Sequence, residues 1–113
     1  MSPEVCQNKP YTYQSDIWAL GCILYELCTL KHAFFAENLL GLVFKIVRDK
    51  PEPIPDTYSD GLKGLIDTLL NKDEEARPQI IEIIQNPFVK EHMQRFVESQ
   101  GKINLNPTLP KKR

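Results

Sequence analysis

Apolar residues recur along this chain at helical spacing, and no segment alternates as a half-buried strand would. Ser15 is a candidate N-cap for a helix from Asp16 to about Leu30, with Asp16 favourable at its positive end. A second segment places Leu39, Leu42, Val43, Ile46 and Val47 on one helical face. After Ser59, residues Leu62, Leu65, Ile66, Leu69 and Leu70 form a continuous stripe. A fourth helix is expected from Pro78, a residue suited to a first turn, with Ile80, Ile81, Ile83 and Ile84 ahead of a stop at Asn86-Pro87. The acidic run Asp73-Glu74-Glu75 would favour that helix through its dipole. The fifth starts at Phe88, carries Val89, His92, Met93, Phe96 and Val97 on one side, and meets a candidate C-cap at Gly101. Pro51-Glu52-Pro53-Ile54-Pro55 reads as an extended connector, because proline lacks an N–H and forces its predecessor out of helical geometry. The pattern therefore predicts an all-α chain of about five helices. Residues 1–97 are expected to be its folded part and residues 98–113, ending in Lys111-Lys112-Arg113, a disordered basic tail.

The first helix is the informative one. Between Ile17 and Cys28 the only charge is Glu26, and apolar residues lie on every face. Such a helix is surrounded by protein, and each packed neighbour covers only part of its circumference. The later helices can cover one side. One reading makes it the middle of a small five-helix bundle; the sharper one is that part of its cover is not supplied by this chain.

Composition narrows the class without reaching the function. The 113 residues, 42% of them apolar, suffice for one hydrophobic core and not for two independent domains. The charges are 14 basic and 15 acidic, a net of -1, which gives no support to a nucleic-acid or anionic-membrane partner. The longest uncharged apolar run, Ile17 to Tyr25, is about half of a membrane span. No secretory signal pattern follows Met1, and three cysteines without paired spacing suit reduced thiols, so an intracellular location, cytoplasmic or nuclear, is expected. Cys22, Cys28 and His32 could be pictured as metal ligands. A fourth ligand and a Cys-x-x-Cys knuckle are both absent, so buried thiols beside a helix-end histidine is the simpler reading and no metal is expected. Ser2, Thr12 and Tyr13 are candidate phosphorylation sites, with no arginine cluster beside them to receive the charge. The terminal Lys111-Lys112-Arg113 is shorter than a convincing nuclear-import patch.

Three motifs, in order along the chain, carry a resemblance. Ser2-Pro3-Glu4 resembles the Ala-Pro-Glu that closes the activation segment of protein kinases. Asp16-Ile17-Trp18-Ala19-Leu20-Gly21 resembles the Asp-x-Trp-x-x-Gly that opens the central helix of their larger lobe. Arg77-Pro78 resembles the arginine and proline near that lobe's end. The longer strings Asn8-Lys9-Pro10-Tyr11, Ser15-Asp16-Ile17-Trp18 and Tyr25-Glu26-Leu27-Cys28-Thr29-Leu30-Lys31-His32-Ala33-Phe34 are similar to the NIMA-related serine/threonine kinases, a subfamily in which serine commonly stands at the position of Ser2.

The resemblance covers residues 1 to about 97 and implies the helical C-terminal lobe of the kinase fold. It implies that Glu4 and Arg77 form a buried ion pair and that Asp16 accepts hydrogen bonds from the catalytic-loop backbone. It further implies that Trp18 and Gly21 let that loop and its neighbours pack closely. Ser2, Pro3, Glu4, Asp16, Trp18, Gly21, Arg77 and Pro78 are thus structural motif residues. The Gly-rich loop, the strand lysine with its helix glutamate, His-Arg-Asp and Asp-Phe-Gly are not found; in the family all lie ahead of the motif that Ser2-Pro3-Glu4 resembles. No catalytic, cofactor-binding or metal-binding residue is expected here. ATP and magnesium would belong to a full-length parent that includes the missing N-terminal kinase region and phosphorylates protein serine or threonine. The partners expected are a protein substrate or docking partner, with no nucleic acid and no membrane. The alternative is a stand-alone helical interaction module that docks a partner through the helix around Leu39 to Val47.

Overall fold

Thr12, not Ser15, starts the long helix. The computed structural model describes residues 1–103, and the side chains of residues 1–100. Thr12 Oγ1 accepts from the Gln14 N–H at 3.2 Å while the Thr12 N–H donates to Ser15 Oγ at 3.4 Å, a reciprocal cap that moves the start one turn earlier than expected. The elements are α1 (Pro3–Cys6), α2 (Tyr13–Thr29), α3 (Leu39–Arg48), α4 (Asp60–Leu69), a 3₁₀ turn (Glu74–Ala76), α5 (Ile80–Gln85) and α6 (Pro87–Ile103). No strand occurs among the described residues. Asn38 and Ser59 cap α3 and α4 by accepting from the Gly41 and Leu62 amides at 2.7 and 3.2 Å.

Three other boundaries depart from the expected ones. The short α1 was not foreseen; Pro3 occupies its first turn after Ser2. The fourth predicted helix begins at Ile80 rather than Pro78. The acidic run makes its own 3₁₀ turn, with Asp73 accepting from the Glu75 amide, and Arg77 leaves that turn in extended geometry. Asn86 not only ends α5 but starts α6, since its side chain accepts from the Phe88 amide at 2.9 Å. α6 runs past Gly101 to Ile103, so the first residues of the expected tail, 98–103, are helical; residues 104–113 lie outside the described residues.

The chain divides into two units, Met1–Ile80 and the part from Ile81 on. In the second, α6 is held locally by an Arg95–Glu91 ion pair at 2.6 Å and by the Phe88 and His92 rings, 4.4 Å apart. In the first, α2 packs on α4 and α1 against α3. The core there gathers Trp18 and Tyr25 of α2, Ala33, Ile46 of α3, Ile54 from the proline connector, and Ile66 and Leu70 from α4 and its cap. Ile54 explains why that connector is extended yet anchored: one apolar side chain is buried between prolines that cannot join a helix.

Gly21 is where α2 and α4 touch. A Cβ built there would lie 2.9 Å from Leu69 Cβ and 2.9 Å from Leu70 Cδ2, and the first of these cannot yield without moving α4. Gly21→Ala gains up to about 1 kcal/mol of helix propensity, but overpacking costs about 1–3 kcal/mol. The variant is expected to melt roughly 5 °C lower in a circular-dichroism thermal scan; an unchanged or higher midpoint would contradict this packing.

Not all of α2 is covered. Ile17, Trp18, Gly21 and Tyr25 are buried, whereas Ile23, Leu27 and Leu30 are 56%, 68% and 89% exposed and Ala19 is exposed as well. The downstream segments therefore do not wrap this helix on every side. Leu30 also sits in the left-handed region, φ 59°, where glycine is the usual residue.

Candidate functional site

The two motif residues that lie 73 positions apart meet in a buried, two-pronged ion pair. Arg77 Nη2 donates to Glu4 Oε1 at 2.6 Å and Nη1 to Glu4 Oε2 at 2.8 Å, with both side chains almost wholly excluded from solvent. The planar guanidinium fork matches the carboxylate, an arrangement the single ammonium of lysine cannot supply. Four of the five Arg77 N–H donors are engaged, because Nη1 also donates to the Gln14 carbonyl at 2.6 Å and Nε to the Asn71 carbonyl at 2.7 Å. On the other side, Ser15 Oγ donates to Glu4 Oε2 at 2.8 Å and Ser2 Oγ donates to Ser15 Oγ at 3.2 Å. Burial alone would raise the Glu4 carboxyl. The hydrogen bonds from Arg77, its own backbone amide and Ser15, together with the Arg77 charge, outweigh that and bring it down to about 2. No buried side-chain nitrogen or oxygen among the described residues lacks a partner, which is what makes such a network tolerable in a core.

A second cluster adjoins the first. Trp18, 2% exposed, stacks on Phe34 with ring centroids 5.4 Å apart, and the Arg77 guanidinium lies 5.2 Å from the Trp18 ring. Lys72 Nζ sits 5.2 Å from Trp18 and 4.8 Å from Phe34 while donating to the Ile46 carbonyl at 2.6 Å. Burial lowers the Lys72 ammonium from its ordinary range. One aromatic pair thus joins α2, the segment after it, α3 and the end of α4.

The remaining motif residues stand apart from this centre. Asp16 is exposed and accepts from the Tyr11 hydroxyl. It lines an open surface pocket with Tyr13, Ile17, Leu20, Gln79 and Ile80. Pro78 follows Arg77 half-buried, and Gly21 faces α4, as described. Glu4, Arg77 and Trp18 therefore gather in one place; Asp16 does not join them. Sequence reasoning passed over Ser15 as a member of the network, together with the Gln14 and Asn71 carbonyls and Lys72. A backbone acceptor carries no sequence signal, and the Ser15 hydroxyl could equally have served as a cap.

With its carboxyl held at about 2, Glu4 is a weak base near neutral pH. Cys22, pushed up to about 11 by burial, is no ready nucleophile. No group of three or more His, Cys, Asp or Glu side chains among the described residues could hold a metal ion. A second cavity, about 540 Å³, is lined by Tyr25, Ile54, Ile66 and Leu70 under the mixed charges of Lys50, Glu52, Lys63, Asp67 and Lys72. Its lining contains no glycine that would let a backbone approach phosphates, which is the cradle an ATP–magnesium complex needs.

A strand-free unit closed by a Ser-Pro-Glu carboxylate on an Arg-Pro guanidinium, around an Asp-x-Trp-x-x-Gly helix, has the make-up of the large lobe of a protein kinase. The family described as "Protein kinase domain" matches residues 1–89. Serine/threonine-protein kinase Nek4 of Mus musculus is 48% identical over 99 residues, which is 88% of this chain and 12% of that protein. Serine/threonine-protein kinase Nek1 of the same species is 45% identical over 100 residues, 88% of this chain and 8% of that protein. Serine/threonine-protein kinase Nek8 of Danio rerio is 55% identical over 84 residues, 74% of this chain and 12% of that protein. The chain belongs to the protein kinase domain family, in its NIMA-related serine/threonine branch. It spans about a tenth of the length of these relatives.

Proposed function

We propose that this chain forms the helical large-lobe part, residues 1–97, of a serine/threonine kinase whose complete domain transfers the γ-phosphate of magnesium-bound ATP to protein serine or threonine. In that reading the chain supplies the scaffold, the end of the substrate-binding segment (Met1 to Glu4) and a docking surface, and it performs no phosphoryl transfer by itself. The observation that carries it is the bidentate Glu4–Arg77 pair, which ties the segment ahead of α2 to the segment behind α4. Ser2 and Ser15 extend that tie, and the exposed Asp16 is free on one side to accept from a catalytic-loop backbone. The bare row Ala19, Ile23, Leu27 and Leu30 fits a helix that receives the rest of its cover from elsewhere in such a domain. Free thiols at Cys6, Cys22 and Cys28 suit a reducing compartment, cytoplasm or nucleus, and no helix among the described residues is long and apolar enough to cross a membrane.

The test is a calorimetric titration of the purified chain with magnesium-ATP beside an assay for radiolabelled phosphate transfer to a generic protein substrate. Neither binding in the micromolar range nor transfer is expected. Either one, persisting in a preparation free of other kinases, would overturn the reading.

A further inference from the structure

α3 turns much of its apolar surface outward. Leu39, Leu40 and Phe44 are 67%, 81% and 59% exposed, while Ile46 is buried in the core. Leu40 and Phe44 are spaced i, i+4, and Arg48 continues the same row one turn on. Phe35, also largely exposed, joins the patch: Lys45 Nζ donates to its carbonyl at 2.6 Å, and its ring stacks on His32. α3 carries two cations, Lys45 and Arg48, and no acidic residue; Lys31 is exposed in the segment before it, and Glu37 and Asp49 stand just beyond its two ends. Among the described residues the Arg48 guanidinium has neither an ion-pair nor a hydrogen-bond partner.

An apolar row that ends in an unpaired guanidinium complements a partner whose own apolar row ends in a carboxylate. A second copy of this helix would bring another cationic face and no acid for Arg48. The net charge of -1 works against an anionic membrane. We propose that α3 and Phe35 bind an acidic amphipathic helix of a partner protein, whose apolar side chains cover Leu40 and Phe44 and whose carboxylates face Arg48 and Lys45. This names the class of partner for the docking surface above and rests on that reading only in taking the partner to be a protein. Binding of ATP by the chain would sink the earlier reading and leave this one untouched.

The test tethers the full chain sparsely to a biosensor, so that copies cannot meet. The probe is a synthetic amphipathic peptide of about four helical turns, with leucine on one face and glutamate beside it; the control carries lysine in place of glutamate. Saturable binding is expected for the glutamate peptide, about tenfold weaker for the control, and about tenfold weaker again for Leu40→Ala or Phe44→Ala. Arg48→Glu is expected to invert the preference between the two peptides, which a loss of folding would not do. The proposal is overturned by absence of saturable binding, by equal binding of both peptides, or by indifference to Leu40→Ala. Stronger retention of phosphatidylserine vesicles than of the glutamate peptide overturns it too. So does self-association in free solution that Leu40→Ala abolishes, because a second copy would then be the occupant.

Discussion

Arg77→Ala is expected to lower the unfolding free energy of this chain by about 3–5 kcal/mol, the range for breaking one side of a buried ion pair. The loss has two parts. The Glu4 carboxylate remains, almost wholly buried, with only Ser15 and its own backbone to hold its charge. The carbonyls of Gln14 and Asn71 also lose the donors that Arg77 supplied. Because folded domains are stable by only about 5–15 kcal/mol, the urea midpoint should fall steeply or the transition vanish. Arg77→Lys should recover little, since an ammonium cannot reproduce the paired bonds or reach both carbonyls. Glu4→Gln with Arg77→Met should recover part, by removing both charges while leaving the two carbonyls bare. A midpoint for Arg77→Ala within about 0.5 kcal/mol of the parent, the usual range for a surface change, would show the pair to be unimportant.

The second large effect is a loss of stability in acid. The folded Glu4 carboxyl sits at about 2 against an ordinary value of 4.5. A depressed folded pKa means stability that is complete above the ordinary value and disappears as pH falls from there towards the folded one. At about 1.4 kcal/mol for each pKa unit, the whole contribution is about 3 kcal/mol. Arg77 keeps its charge throughout, so the slope belongs to the carboxylate. Urea midpoints measured from pH 6 to pH 2 should fall more steeply for the parent than for Glu4→Gln, which has no proton to take up. A carbon NMR titration of the Glu4 carboxyl should report the low midpoint directly. Parallel slopes, together with a carboxyl that titrates near its ordinary value, would contradict the geometry of the pair.

Helix content was legible because apolar spacing is a local property. α3 and α4 follow the Leu39-to-Val47 and Leu62-to-Leu70 patterns, and their caps are the asparagine and serine that precede them. Boundaries were less legible where a residue had two uses. Ser15 can cap a helix or stand in the third position of one, and the choice turned on Thr12 and on a carboxylate eleven residues away. Pro78 favours a first turn, yet the helix waits for Ile80 because Arg77 is stretched across to Glu4 and Asn71. The end of α2 lies at about Leu30, as expected, although the left-handed geometry there is usually taken by glycine. Gly101 gave a sign that α6 ignores.

By itself the order of residues settled an all-helical chain, one central helix with too many apolar sides, and three motifs whose succession resembles a kinase large lobe. Those conclusions need only spacing along the chain, because the period of a helix and the identity of a motif are written in neighbouring positions. Tertiary structure alone decided that Glu4 reaches Arg77, that Lys72 lies against Trp18 and Phe34, and which row of α2 stays bare. Partners tens of positions apart are chosen by how the helices pack, and many of the acceptors are backbone carbonyls, which every residue carries alike.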